Sequence, residues 1–112
     1  MVVKKREEGW TPMKNGIFRQ SLAHGDKTHM VKFRLQSGAE IAVHKHVQEN
    51  TGYLLQGSMI MIIEGEECPL EAGDSWSIRG GVPHGARVLE ECLVLEVFSP
   101  LREDYLQAEV RL

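Results

Sequence analysis

Three histidines, His44, His46 and His84, are the residues of this chain whose type and spacing favour metal binding. In an extended strand, His44 and His46 project from the same face because side chains alternate, and their Cα atoms lie about 6.6 Å apart. Two imidazoles at this spacing can converge on one ion, with His84 as third ligand if the fold brings it near. The pair alone is a weak signal, because exposed polar histidines show the same spacing. The other two histidines, His24 and His29, flank a predicted turn and are expected at the surface.

The elements that must position these histidines are short strands. Glycine and proline recur at short intervals along the chain, which is typical of an all-β sandwich or barrel. Val31, Phe33 and Leu35 alternate with polar residues and predict a half-buried strand. We expect roughly eight to ten short antiparallel strands in one domain over residues 1–112, with a loose or swapped N-terminal segment over 1–10. The end of the chain, from Glu103 to Val110, fits either a short helix or an extended tail.

The histidines lie within two motifs that resemble those of the cupin family. Residues 38–57 contain Gly-x5-His-x-His-x3-Asn-x6-Gly, which is similar to the first cupin motif. Residues 73–84 contain Gly-Asp-x4-Arg-x4-His, which is similar to the second. The resemblance implies an antiparallel β-barrel of the jelly-roll type, the double-stranded β-helix of cupins. It also implies one divalent transition metal ion, with zinc, nickel, manganese or iron as the candidates.

Asn50 stands at the position where cupins usually have a glutamate, and sometimes a glutamine, as a further metal ligand. An amide oxygen is a neutral and weaker donor than a carboxylate, so the resemblance implies three histidines with an optional amide. The adjacent Glu49 is the alternative ligand, since a shift of strand register by one residue would exchange the two side chains. A site of this kind leaves open positions, which a catalytic ion needs.

The last predicted strand carries a second group of candidate residues. Alternation places Glu96 and Phe98 on one face of this strand. If that face lines the lumen, Glu96 is a buried acid with a raised pKa that is suited to proton transfer; the alternative is an exposed acid. Arg102 could bind a substrate carboxylate through two hydrogen bonds, or it could pair at the surface with Glu103 or Asp104.

The same segment resembles the tail of small single-domain cupins of the KdgF type, which open the ring of 4,5-unsaturated uronates in pectin and alginate breakdown. That family has Asp-x-Phe-x3-Arg, so Phe98 and Arg102 match and Glu96 replaces the aspartate. The resemblance implies a metal-dependent enzyme and a homodimer, with Glu96 and Arg102 catalytic and with Phe98, Arg102 and Tyr53 contacting a sugar acid. The alternatives are a non-catalytic cupin that binds a sugar or small acid, and a metal-dependent oxygenase.

Composition limits the partners and the compartment. The net charge is −3, and the basic run at residues 4–6 is followed by two glutamates, which argues against nucleic acid as a partner. No apolar run approaches the roughly 18 residues of a membrane span, and none follows the basic run as a secretory signal would require. Cys68 and Cys92 lie outside any CxxC motif and are expected as reduced thiols in a cytoplasmic protein.

Overall fold

The computed structural model describes residues 1–109, with side chains through residue 106, and these residues form a nearly all-β structure. Its elements are β1 (Thr11–Pro12), β2 (Ile17–His24), β3 (His29–Leu35), β4 (Glu40–His44), β5 (Glu49–Ile63), β6 (Glu66–Glu71), β7 (Ser75–Ile78), β8 (His84–Ser99) and α1 (Glu103–Glu109). The end of the chain, which the sequence left open, is therefore helical through Glu109, and Val110 lies outside the described residues. No helix among residues 1–109 is long and apolar enough to cross a membrane.

The strands form one antiparallel sheet in the order β1-β2-β3-β8-β5-β6, with β4 pairing to β8 and β7 pairing to β5. The two long strands, β5 and β8, each pair with different short strands along their length. Strand β8 pairs with β4 over 84–87 and with β3 over 92–98, and β5 pairs with β7 over 50–53 and with β6 over 58–63. The sheet therefore folds over a central lumen, and the predicted jelly-roll architecture is confirmed. Within the described part of the chain the sheet does not close, because β1 and β6 each pair on one side only.

The sheet bends over the lumen at Gly57 of β5, where the register between β5 and β8 shifts. The φ angle of Gly57 is 92°, a left-handed conformation that glycine adopts readily. A Cβ atom there would lie 2.1 Å from the carbonyl oxygen of Glu91, so no larger residue fits. The register between the two strands shifts repeatedly from Leu54 to Met59, which bends both strands at the same place.

Alternation along the strands decides which side chains fill the lumen. The inward positions of β3 hold Val31, Phe33 and Leu35, which are all buried, as predicted. His29 occupies the first inward position of the same strand and is 0% exposed, so the prediction that it lies at the surface is wrong. His24 is half-buried at the end of β2.

The N-terminal segment, residues 1–10, contains neither strand nor helix and is largely exposed. It is nevertheless attached to β2, because Arg6 donates a hydrogen bond to the carbonyl oxygen of Ser21 (2.7 Å) and Gln20 donates one to the carbonyl oxygen of Glu8 (2.8 Å). An exchange of this segment with a second chain stays a prediction.

Candidate functional site

A cavity of about 330 Å³ lies between the two halves of the folded sheet. Its wall is mostly apolar, with polar side chains that include His44, His46, His84, Asn50, Glu96 and Arg102. This size and this combination of apolar walls with few polar groups are typical of small-molecule sites. Residues that lie far apart in the sequence therefore share one space.

The histidine cluster is assembled from two strand ends and a loop. His44 ends β4, His84 begins β8, and the two are partners in the β4–β8 register. His46 follows the end of β4, so the prediction that His44 and His46 share one strand is wrong for His46. The three ring centroids are nevertheless 4.5 to 5.6 Å apart, and one nitrogen of each ring lies within 4.8 Å of the others.

The backbone around each histidine fixes which ring nitrogen is available to a ligand. Each Nδ1 lies 2.8 to 3.0 Å from the carbonyl oxygen two residues away, which belongs to Ala42, Gln48 and Val82 respectively. Because a carbonyl oxygen only accepts, each Nδ1 carries the proton and each Nε2 presents a lone pair. A metal-binding histidine characteristically makes this second hydrogen bond.

Burial keeps two of these imidazoles in the neutral form. The pKa of His46 is lowered to about 4, mainly by desolvation and also by the positive charge of Arg102 and by the nearby His84. Desolvation also lowers the pKa of His84. Since a metal-binding histidine must be deprotonated, neither ring has to lose a proton near neutral pH to bind an ion.

Asn50 adds an oxygen to this group of nitrogens. The structure places Asn50 in the cavity wall at 2% exposure, and its Oδ1 has no hydrogen-bond partner among the described residues. Glu49 points the other way and is exposed, because successive residues of β5 face opposite sides. A buried oxygen left without a donor costs about 1–3 kcal/mol. The histidines and Asn50 therefore fit a divalent ion that binds nitrogen and oxygen.

Glu96 faces the same cavity from the second half of β8, together with Phe98, as the alternation predicted. Burial raises the pKa of Glu96 to about 7, and the positive charge of Arg102 opposes this rise. A carboxyl group with a pKa near neutrality can both give and accept a proton, which suits general acid and base catalysis.

Arg102 is held rigidly beside Glu96, with its side chain 12% exposed. Its Nε and Nη2 donate hydrogen bonds to the two carboxylate oxygens of Asp104, at 3.1 and 2.9 Å. The guanidinium also lies over the rings of Tyr105 (3.9 Å) and Phe98 (4.9 Å). Arg102 thus pairs with Asp104 and lines the cavity at once.

Sequence reasoning missed several residues that build this side of the cavity. Tyr105 is buried, and its ring lies between the guanidinium groups of Arg102 and Arg19, 3.9 and 4.3 Å from its centroid. His29 accepts a hydrogen bond from the backbone N–H of Arg102 (3.4 Å). The acidic first turn of α1, with Asp104, is a helix-start signal that could have indicated this arrangement.

Tyr53 does not lie in the cavity wall. It is 45% exposed on the outer face of β5, because Gly52 and Leu54 take the inward positions on either side. The structure therefore does not bring Tyr53 together with Phe98 and Arg102, the other residues predicted to contact a substrate. Trp76, on β7, lines the cavity instead and was not predicted.

The folded antiparallel sheet with a histidine cluster in its lumen defines a cupin. The chain belongs to the cupin family, since the cupin-domain family model matches residues 31–98. It is 35% identical over 102 residues to the pectin degradation protein KdgF of Dickeya dadantii, covering 89% of this chain and 93% of that protein.

Solved structures of cupins are similar to this chain over most of its length. KdgF from Halomonas sp. has a TM-score of 0.88 and 32% identity, covering 94% of this chain and 97% of that one. An RmlC-like cupin from Shewanella frigidimarina has a TM-score of 0.87 and 29% identity, covering 93% of this chain and 94% of that one. The resemblance to KdgF-type cupins is confirmed.

Proposed function

We propose that this cupin is a metal-dependent enzyme that opens the ring of a 4,5-unsaturated uronate to a linear keto sugar acid. The observation that carries the proposal is the half-buried carboxyl group of Glu96, which faces one cavity with the histidine cluster and Arg102. Similarity to a pectin degradation protein over 89% of the chain supports a uronate as the substrate class.

The metal ligands in this proposal are His44, His46 and His84, with Asn50 as the oxygen donor. Zinc, nickel, manganese and iron all accept such a set. When bound, the ion supplies a Lewis acid and a template for a substrate oxygen.

Arg102 binds the carboxylate of the substrate in this proposal. Its bonds to Asp104 and its contacts with Tyr105 and Phe98 restrict the guanidinium to one orientation, so little side-chain freedom is lost on binding. Phe98, which is 2% exposed, shapes the apolar wall beside it.

Glu96 moves the proton. Ring opening takes one proton from the hemiacetal hydroxyl oxygen, and formation of the keto product places one proton on the former double-bond carbon. The reaction is therefore an isomerisation without net proton change, and a single group can serve as base and then as acid. The pKa of Glu96, about 7, is suited to both steps near neutral pH.

We expect the purified, metal-loaded protein to accelerate the loss of the ultraviolet absorbance of a 4,5-unsaturated galacturonate above the rate in buffer. Arg102→Ala should raise KM by roughly 10- to 100-fold, because a charge-assisted hydrogen bond to the substrate carboxylate is lost. Arg87→Ala is the matched control, since Arg87 forms an ion pair with Glu67 at the surface. A wild-type rate equal to that in buffer would contradict the proposal.

A second candidate is a metal-dependent oxygenase, which the neutral ligand set of three histidines and Asn50 favours, because no carboxylate ligand is present among these four side chains. Oxygen consumption with the iron-loaded protein distinguishes this candidate from ring opening. Uronate binding without any product would instead indicate a non-catalytic binding cupin.

We also propose a homodimer that forms through the outer face of β5 and β8. Tyr53 and Leu55 are 45% and 41% exposed there, and the register places Leu95 beside Tyr53. Sedimentation should give a mass of twice 12.6 kDa. Tyr53→Asp should shift it to the monomer, whereas Leu89→Asp, at another exposed apolar residue, should remain dimeric. A wild type that sediments as a monomer refutes the dimer.

A further inference from the structure

Trp76 brings a hydrogen-bond donor into the cavity that no described residue satisfies. Its side chain lines the cavity, and its Nε1 is buried without a partner in the described part of the chain. Native proteins leave few buried polar groups unpaired, since each costs stability. An unpaired donor in a small-molecule cavity is therefore available to a ligand acceptor.

Gly52 allows the indole to reach this position. Trp76 on β7 is the cross-strand partner of Gly52 on β5. A Cβ atom on Gly52 would lie 2.2 to 2.4 Å from Cε2, Cζ2 and Nε1 of the indole. The N–H edge of Trp76 thus lies directly over the inner side of Gly52, and any side chain at residue 52 would displace it.

Glu96 lies on the other side of the same glycine. The β5–β8 register pairs Gly52 with Glu96, so β7, β5 and β8 place Trp76, Gly52 and Glu96 in one row across the sheet. Both side chains line the cavity, and the indole occupies the space that a side chain at residue 52 would fill. A ligand oxygen at this part of the wall would meet the indole N–H together with the carboxyl group of Glu96.

We propose that Trp76 is a specificity-determining residue whose Nε1–H donates a hydrogen bond to an oxygen of the sugar acid on the Glu96 side of the cavity. The inference rests on the proposed function, because it takes a uronate as the ligand. Trp76 thus combines a largely apolar ring in the cavity wall with one polar N–H group that can fix the orientation of a ligand. A site of this kind discriminates against an analogue that lacks the acceptor oxygen.

The indole N–H can be observed directly by NMR. The chain has two tryptophans, so Trp10→Phe assigns the indole signal of Trp76. Zinc-loaded protein, which is diamagnetic, is titrated with galacturonate, a saturated uronate that cannot form the keto product. We expect a saturable downfield shift of the Trp76 indole proton, with the Trp10 signal unchanged.

Substitution of Trp76 measures how much the indole N–H contributes to galacturonate affinity. Trp76→Phe keeps an aromatic ring and removes the N–H, so calorimetry should show roughly tenfold weaker galacturonate binding. Trp10→Phe is the matched control and should bind as the wild type, since Trp10 lies outside the cavity. Metal content and melting temperature establish that Trp76→Phe is folded, and Gly52→Ala, which displaces the indole, should weaken binding in the same way.

The outcomes separate this inference from the proposed function. If the Trp76 signal does not shift while the wild type turns over unsaturated galacturonate, the inference alone is overturned. If neither a shift nor turnover is seen, both fail. A shift without turnover supports the Trp76 hydrogen bond and overturns the enzymatic activity.

Discussion

We expect His84→Ala to lose its metal ion, whereas the wild type purifies with about one ion per chain. His84 is 8% exposed and lies between the other two rings, with its centroid 4.5 Å from that of His44 and 4.9 Å from that of His46. Removing a hydrogen-bonding neighbour of a ligand already costs 10- to 100-fold in affinity, so removing a ligand should cost at least about 100-fold. Turnover should be lost with the ion.

Plasma mass spectrometry on protein purified without a histidine tag or added metal gives the metal content. His24→Ala is the matched control, because His24 is half-buried and outside the cluster. Chelation should also lower the melting temperature of the wild type and leave that of His84→Ala unchanged, since a ligand stabilises only the state that binds it. An undiminished metal content in His84→Ala would refute the site assignment.

The second large effect is expected from Glu96→Gln, which keeps the shape of the side chain and removes its ability to transfer a proton. The kcat value should fall by about 10²- to 10⁴-fold, with metal content unchanged and KM little changed. The wild-type pH profile of kcat/KM should show a titration near pH 7, where the pKa of Glu96 lies, and the variant should lack it. Wild-type activity in Glu96→Gln would remove Glu96 from the mechanism.

Glu96→Asp is the informative companion, because aspartate is the residue of the KdgF-type pattern. The shorter side chain moves the carboxyl group by about 1 Å, and misplacement on this scale costs about 100-fold in rate. An active Glu96→Asp beside an inactive Glu96→Gln shows that the carboxyl group, and not the packing of residue 96, carries the activity.

The Glu96→Gln substitution also tests the raised pKa of Glu96, through the pH dependence of protein stability. The folded state keeps a proton on Glu96 up to about pH 7, whereas the ordinary value in the unfolded chain is 4.5. The wild-type free energy of unfolding should therefore fall relative to that of Glu96→Gln as pH rises from 4.5 to 7, by roughly 3 kcal/mol. Denaturant unfolding of both metal-free proteins across this range measures the difference, and curves that stay parallel would contradict it.

Features that depend on local patterns could be predicted from the amino-acid sequence alone. The alternation of Val31, Phe33 and Leu35 and the inward direction of Glu96 and Phe98 follow from the two-residue period of a strand, which needs no knowledge of the partner strand. The two histidine motifs indicated the fold for a related reason, since the spacing of ligands and turn glycines within one segment is local.

Features that depend on strand register become visible only when the strands are paired in the folded protein. The pairing of His44 with His84 brings the cluster together across β4 and β8, and the phase of β5 turns Asn50 inward and Tyr53 outward. A shift of one residue would reverse each of these orientations, and the sequence alone does not fix the register.

The same reason applies to the residues that sequence reasoning missed. Trp76 and Glu96 lie 20 residues apart in the chain, and they share one wall because both pair with Gly52. His29 supports Arg102 across 73 residues of sequence. Such contacts arise from the pairing of distant strands and the docking of α1, which no local pattern of residues records.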